Sequence, residues 1–567
     1  MANRALGQVL SIFSGSLGIA EHIKLGIYSR NAVKTQERLL KGLMKKNKTT
    51  VYGKKNSFKD VHSIEDYQKI VPLTNYNDYD EYIQRMVNGE KSILTNSAYR
   101  RFTASSGSTG KAKTVPLSLW SEWVCQCFSF SAPIGCVVKH YWKKHKKIIP
   151  PQRGMLTAEV GIKKLSNGKT TSCLSSIPLI NLKPFAKFYN TTPTEVMFHD
   201  DDVDIDSHYA KLRFALPDRN VSYISTIFIT TLESMFFYLE NNWEMLCDDI
   251  EYGTINESIK LPDDIRSKLL KKLKPMPERA EELRKEFRKG FDESPIVPRI
   301  WPHCGWMYGM GTGAIAIYQK KLQRYIGTTI PIHYLGYVAS EAMMAVPLEL
   351  DSFEYVMLPQ NGFYEFRPVD SDDYDNLLTI KDLEVGKEYE IILTNTSGFY
   401  RYRIDDVIRV TGFHHQSPKV TFCYRLNQIA NISGEKMTQF AFDYIVNSMS
   451  EQLDELFIGY SIYADHSTSP GHYVLLLETA KHVDTSKEKE YAELFEELFS
   501  KNNPSAECVF KNGSLGHCEV KFLRHGTYDD YRQVLKDRGA NLNQVKPVKL
   551  IDNEERKGFF FSHIIGE

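Results

Sequence analysis

Near the start of the chain the apolar positions recur at helical intervals. Leu6, Val9, Leu10, Phe13 and Leu17 share one face, which predicts a helix over Ala5–Ala20 packed on the body of the protein. Gln36, Leu39, Leu40, Leu43 and Met44 make a second such face. Val71-Pro72-Leu73 interrupts the pattern, and Tyr79–Met86 resumes it. Arg101-Phe102-Thr103 is a strand candidate that runs into a loop. Leu117–Val138 is long, apolar and aromatic, and predicts a buried helix. Residues 260–290 are densely charged, with Leu269, Leu270 and Leu273 on one face and Ala280, Leu283 and Phe287 on another. Pro275 and Pro277 divide them into two solvated surface helices.

Farther along, Ile300–Met310 predicts a strand, Gly311-Thr312-Gly313 a turn, Ala314–Tyr325 a helix and Thr328–Tyr334 a returning strand. Together they make a β-α-β unit, as in α/β proteins. Glu388–Thr396 and Phe399–Val410 alternate like paired strands around Ser397-Gly398. Beyond Arg425 the pattern is that of a smaller α+β unit, with strands at Phe457–Ala464 and His472–Glu478 and a helix at Asp529–Arg538. There is no internal repeat and no low-complexity tract.

Composition narrows the class. A chain of 567 residues exceeds what one core supports, so two or more domains are expected. With 42% hydrophobic and 25% charged residues, disorder is excluded. A formal net charge of +1 calls for neither nucleic acid nor an anionic membrane as partner. Ala5–Ala20 is too short and too rich in Ser and Gly to span a bilayer. The nine cysteines are scattered without a C-x-x-C pair, which reads as reduced thiols of a cytoplasmic protein. Nothing requires an oligomer, so a monomer is expected.

Two runs that imitate binding motifs fall away. Asp200, Asp202, Asp204 and Asp206 alternate as calcium ligands do, but Ile205 and Lys211 stand where an EF-hand needs Gly and Glu, leaving a solvated acidic loop. His140–Lys147 is basic and aromatic but short, and reads as a surface patch.

Three runs carry chemistry. Thr103–Pro116 (TASSGSTGKAKTVP) packs small hydroxyl and glycine residues ahead of Lys111 and Lys113. Glycine lets backbone amides approach phosphate oxygens, hydroxyls donate and lysine adds charge. A kinase-type loop is a poor match, because Ala112 follows Gly110-Lys111 and Ser105 stands at the first glycine position, so a plain flexible turn stays open. Tyr337-Val338-Ala339-Ser340-Glu341 is either a helix start capped by Ser340 or a source of one Mg²⁺ carboxylate. Gly398–Asp406 (GFYRYRIDD) ends in a carboxylate able to accept both ribose hydroxyls, or is a surface hairpin with Arg–Asp pairing.

The order and spacing of these runs resemble the acyl-adenylate-forming superfamily that includes luciferase and acyl-CoA synthetases. More closely the chain resembles the Gretchen Hagen family of acyl acid–amido synthetases, the auxin-conjugating type, including its bacterial members. The resemblance extends from the Gln36-Glu37 helix and Asn47–Gly53 (NKTTVYG), through Val71-Pro72-Leu73, Tyr79–Met86, Gly89 and the glycine loop, to Gly539–Lys546 (GANLNQVK). It implies an α/β fold: a large N-terminal adenylate-forming domain of mixed β-sheets flanked by helices, with a distorted β-barrel, over residues 1–423. A hinge at 424–427 and a smaller mobile α+β domain at 428–567 would follow.

Residue by residue, the resemblance implies ATP or AMP contacts from Ser105, Ser106, Gly107, Ser108, Thr109, Gly110 and Lys113, from Tyr337 and Ser340, and from Asp406, Arg425 and Lys436. Glu341 is the implied Mg²⁺ ligand. Lys546, Lys436 and Ser105 are the implied catalytic residues, with Lys549 competing for the role of Lys546. Ser108 stands where threonine is usual, Ala112 where the superfamily has proline, Asn427 where it has a hinge aspartate, and Asp405 where the family motif has glycine. The implied activity is ATP- and Mg²⁺-dependent adenylation of a small carboxylic acid, then acyl transfer to an amine, an amino acid in the family. Transfer to a thiol such as coenzyme A, or non-catalytic nucleotide binding, are the alternatives. Phe128, Phe130, Tyr318 and Met343 suit either an acyl pocket or a core, and the core is favoured.

Overall fold

Alternating side chains decide where the strands lie, and the computed structural model places them in five sheets. It describes residues 2–104, 113–123, 129–145, 153–199, 205–310, 322–350, 352–371, 373–426, 429–430, 432, 435, 437–468, 470–481, 484–503, 506, 510, 515–538 and 547–566. The described chain divides into two compact units. The first runs to Ile404 and takes in Ile408–Phe422; the second holds Asp405–Val407 and the chain from Cys423 onward.

In the first unit, β1 (Tyr99–Ala104) and β2 (Thr114–Ser118) pair antiparallel. They share a sheet with β4 (Lys163–Lys164) and β5 (Thr170–Ser172). A parallel sheet is built from β3 (Arg153–Leu156), β6 (Val221–Phe228), β7 (Trp306–Met310) and β8 (Ile332–Tyr334). The largest sheet has the order β12-β13-β14-β15-β11-β10-β9. Its strands are β9 (Tyr337–Val338), β10 (Met343–Pro347), β11 (Tyr355–Met357), β12 (Gly362–Pro368), β13 (Glu388–Asn395), β14 (Tyr402–His414) and β15 (Ser417–Arg425).

In the second unit, β16 (Ile429–Ala430) pairs with β17 (Met437–Thr438), and a mixed sheet has the order β20-β19-β18-β21. Its strands are β18 (Phe457–Asp465), β19 (His472–Thr479), β20 (Glu519–Phe522) and β21 (Leu550–Ile551). Every residue of β19 is buried, because both sheet faces are covered. Tyr473, Leu475 and Leu477 join one apolar cluster, while Val474 and Leu476 join another.

The helix α1 (Ala2–Arg30) forms as expected, but on a different face. Val9 and Phe13 are 60% and 64% exposed, and the side chains of Leu6 and Leu10 lie outside the described residues. Gly15, Gly18, His22, Leu25 and Ser29 turn inward instead. Gly18 meets Gly135 of the helix Ala132–His145 so closely that a Cβ on Gly18 would stand 2.6 Å from the Ser131 carbonyl. Backbone proximity, rather than bulky apolar side chains, drives this packing, which is why periodicity alone misassigns it. The helix α2 (Ala32–Asn47) buries Gln36 with its apolar neighbours. The amide of Gln36 donates to the Pro359 and Gly362 carbonyls at 2.6 and 2.5 Å and accepts from Tyr364 N–H at 2.8 Å, tying α2 to β12.

Other expectations are corrected locally. Leu117–Val138 is not one helix: β2 takes Leu117 and Ser118, and the long helix begins only at Ala132. Trp120 and Trp123 between them are 56% and 43% exposed. Ile300 ends a short helix (Ile296–Ile300), and the strand starts at Trp306. Thr328–Ile330 precede the returning strand, which starts at Ile332. Of the charged segment, both surface helices form (Asp263–Leu270 and Pro277–Phe287), but Leu270 is exposed while Leu269 is buried. Asp200, Asp202 and Asp204 lie outside the described residues. Asp206 precedes the helix Ser207–Ala215, and its carboxylate accepts from Lys260 N–H at 2.7 Å. Met343 sits in a core cluster with Leu25 and Ala132, whereas Phe128, Tyr318 and the Phe130 side chain lie outside the described residues. No disulfide joins the six described cysteines. No described helix is long and apolar enough to cross a membrane.

Two buried histidines brace the start of the helix Ala132–His145. His22 Nε2 donates to the Ala132 carbonyl at 2.8 Å, and its Nδ1 accepts from Lys139 at 2.5 Å. His333 Nε2 donates to the Pro133 carbonyl at 2.9 Å. Burial is the main cause that pushes both imidazoles down from 6.5 to about 4, with Lys139 adding to the effect at His22. The unfolded chain therefore takes up protons that the native state refuses. Stability should be greatest above pH 6.5 and fall as pH drops from 6.5 toward 4, by up to about 3 kcal/mol per histidine. Urea unfolding across that window checks this, and His22→Gln or His333→Gln should flatten the slope.

Candidate active site

The register of β1 and β2 sets Ala104 opposite Thr114 and Thr103 opposite Val115, so the glycine loop joins two neighbouring strand ends. Residues 105–112, and with them Ser105, Ser106, Gly107, Ser108, Thr109 and Gly110, lie outside the described residues. Both flanks are described and both are held. At one, the Thr103 hydroxyl donates to the Ser340 carbonyl at 3.1 Å. At the other, Lys113 Nζ donates to the Tyr402 hydroxyl at 3.2 Å and stands 5.5 Å from the centre of the Tyr76 ring. The Tyr76 hydroxyl accepts from Thr114 N–H at 2.7 Å and donates to the Thr114 carbonyl at 3.1 Å. Burial, with smaller help from the Glu341 charge, pushes the Tyr76 phenol above its ordinary value.

Ser340 and Glu341 form the tip of the β9–β10 hairpin, closed by Ala339 N–H on the Ala342 carbonyl at 2.9 Å. The alternative of a capped helix start is not what the chain adopts. Asn395 pins this tip: its Nδ2 donates to the Glu341 carbonyl at 3.0 Å, while its Oδ1 accepts from the N–H groups of Ser397, Gly398 and Phe399. Glu341 is 8% exposed. Tyr337 is buried, with its ring 6.0 Å from that of Phe422. Gly336, just before it, has φ +136°, and a Cβ there would fall 2.5 Å from the Ala345 carbonyl, so glycine is required for the hairpin to close.

The third run is no surface hairpin. Arg401 is 3% exposed; its guanidinium reaches both oxygens of the fully buried Glu365 at 3.2 Å and donates to the Gln68 and Val71 carbonyls. Burial, the leading cause, raises the Glu365 carboxyl, and Arg401 opposes it. Glu390, likewise fully buried, accepts from Arg367 at 2.7 Å, Arg403 at 2.8 Å and the Tyr374 hydroxyl at 3.0 Å. Within the second unit, the carboxylate of Asp406, 2% exposed, accepts from Arg425 Nε at 2.6 Å.

Asp405, where the family motif has glycine, has φ +64°, the left-handed region that glycine occupies freely. Aspartate is among the few side chains tolerated there.

Lys436 and Lys546 lie outside the described residues, as does Asn427. The competing Lys549 is engaged inside the second unit, 3.7 Å from the Tyr460 ring centre and 3.8 Å from Asp443. Sequence reasoning overlooked Asn395, Tyr76 and Glu390. Only Asn395 left a signal, an Asn ahead of Ser-Gly, the pattern of an Asx turn. Among the described residues no three His, Cys, Asp or Glu side chains form a metal cluster. One carboxylate, completed by water and phosphate oxygens, is a donor set that suits Mg²⁺, and the Glu341 side chain would supply it.

Backbone strain at Asp405 gives a stability test. Asp405→Ala should be less stable than Asp405→Gly by about 1 kcal/mol, since only the alanine pays for a Cβ in the left-handed region. Urea titration of both variants measures the difference, and equal stabilities would contradict it.

Comparison with known proteins agrees along most of the chain. The GH3 family N-terminal domain matches residues 24–332, the GH3 family central domain 355–425 and the GH3 family C-terminal domain 442–555. The indole-3-acetic acid-amido synthetase GH3.8 of Oryza sativa subsp. indica is 29% identical over 547 residues, spanning 91% of this chain and 88% of that protein. The 4-substituted benzoates-glutamate ligase GH3.12 of Arabidopsis thaliana is 27% identical, spanning 92% and 93%. Among solved structures, the GH3.15 acyl acid amido synthetase superposes with a TM-score of 0.80 at 23% identity, covering 96% of each chain, which establishes the shared fold. With family domains matched over most of its length, and with the hairpin and strand motifs in place, the chain belongs to the GH3 family.

Proposed function

We propose that this protein adenylates a small carboxylic acid with ATP and passes the acyl group to an amine, an amino acid, releasing AMP and pyrophosphate. One observation carries the reading. The strand end that feeds the glycine loop is hydrogen-bonded to the turn that presents Glu341, while Lys113 at the other end of the loop is bonded to Tyr402, four residues before Asp406. A triphosphate, its cation and its sugar need that set of groups.

The acid and ATP are both anions, so repulsion and alignment make up much of the barrier. In this reading the hydroxyls and amides of residues 105–110 hold phosphate oxygens and Lys113 adds positive charge beside them. Mg²⁺, held by Glu341, would neutralise further phosphate charge when bound. Tyr337 and Ser340 would border the nucleotide. Asp406 would accept the ribose hydroxyls, oriented by Arg425. Lys546 and Lys436 would approach the adenylate from the small domain, with residues 424–427 as the hinge between residues 1–423 and 428–567. That Lys549 already has partners supports assigning the mobile role to Lys546. The acyl-adenylate is a mixed anhydride; a neutral amine attacks its carbonyl, the amide forms and AMP leaves. Water must be kept from it, or the acid is regenerated.

The test is a panel of carboxylic acids crossed with amino acids and with coenzyme A, reading AMP release and product mass. Amide products are expected. Thioester alone would move the acceptor from amine to thiol, and no acid-dependent pyrophosphate release would end the enzymatic reading. Glu341→Gln should lower acid-dependent pyrophosphate release at least about 100-fold, as loss of a charge-stabilising group does. Unchanged turnover in Mg²⁺ would remove Glu341 from the metal.

A further inference from the structure

The outward side of α1 carries an ordered stripe that the family chemistry does not use. Val9, Ile12, Phe13, Ile23 and Ile27 are 60%, 56%, 64%, 62% and 56% exposed, and Ser16 and Ala20 between them are exposed as well. Val9, Phe13, Ser16, Ala20, Ile23 and Ile27 follow one another at alternating intervals of four and three, the spacing of a coiled-coil seam. Over these residues the seam is about 27 Å long at 1.5 Å per residue. It lies opposite Gly15, Gly18, His22, Leu25 and Ser29, which are buried, so packing among the described residues does not account for it.

We infer that this stripe joins two copies of the chain through antiparallel pairing of their α1 helices about a two-fold axis near residue 18. The row reads the same way from either end. In that register Val9 meets Ile27 of the second copy, Phe13 meets Ile23, and Ser16 meets Ala20, with large residues outside and small ones at the centre where the helices approach most closely. A two-fold interface requires this kind of self-complementarity. The exposed side chains offer on the order of 1,000 Å² over two copies, the lower end of specific interfaces, so a dimer of about micromolar strength is expected.

A lipid surface fits less well. The few charges of α1 are Arg4, Glu21, Lys24 and Arg30, Lys24 is paired with Glu21 at 3.3 Å, and the stripe narrows to Ser and Ala where a bilayer-facing helix would keep large apolar residues.

Sedimentation velocity on the full chain over a concentration series tests the inference. The wild type should show a monomer–dimer equilibrium. Phe13→Glu and Ile23→Lys, each at an exposed position, should leave the thermal midpoint of dilute protein unchanged and weaken the dimer at least about tenfold. The double variant should recover dimerisation in a salt-sensitive form, because only the antiparallel register sets position 13 against position 23. A wild type that stays monomeric to about 100 μM, far above a micromolar constant, overturns the proposal. So does a dimer indifferent to the single changes, or a double variant no better than either single. Phe13→Glu-sensitive binding of an otherwise monomeric protein to phosphatidylserine-containing vesicles would assign the stripe to a membrane and equally overturn it.

Discussion

A turn that carries a buried carboxylate needs its backbone fixed, and main-chain hydrogen bonds around Glu341 supply that restraint. The tip of the β9–β10 hairpin is fastened through main-chain carbonyls, Ser340 by Thr103 and Glu341 by Asn395, at 3.1 and 3.0 Å. Asn395 is efficient in this role because both ends of its amide are used: one oxygen gathers three consecutive N–H groups and the nitrogen fixes the hairpin. The arrangement couples the loop approach, the acidic tip and the segment leading to Tyr402 within a single hydrogen-bonded set.

Buried charge stiffens the same region. Glu365 and Glu390 are withdrawn fully from water and answered by Arg401, Arg367 and Arg403. Such pairs contribute little net stability, because desolvation offsets much of their attraction, but an arginine removed from one of them would leave an uncompensated anion. They therefore select one packing of the Gly398–Asp406 segment over others. The positive φ of Arg401 bends the chain just before β14, and that of Asp405 bends it within the strand.

Much of the fold was legible where a single period governs a segment. β13, β14, β18 and β19 fall close to where alternation places them, and the two helices of the charged stretch fall on either side of Pro275. Legibility failed where a local cause outweighed the period. In α1 two glycines bring backbones together, and no hydropathy pattern encodes that contact. Around Trp120 a strand, short turns and a helix share one apolar run, which reads as continuous because strand and helix cores use the same residues. Glu341 and Asp406 stand out only through the resemblance of their runs to family motifs. Tyr76 and Glu390 act through partners 13 to 38 positions away, and such pairings have no signature in one sequence; Asn395 shows its Asx turn but not its reach to Glu341, 54 positions off.

The contact between Gly18 and Gly135 has a reach beyond its own few atoms. With no side chain at either position, the two helices meet backbone to backbone, with the face of α1 that carries Gly18 turned inward. Any bulk introduced there would roll the helix and aim a different row of residues at the solvent. What the outer surface of this protein is able to encounter is thus decided from within, by the absence of two methyl groups.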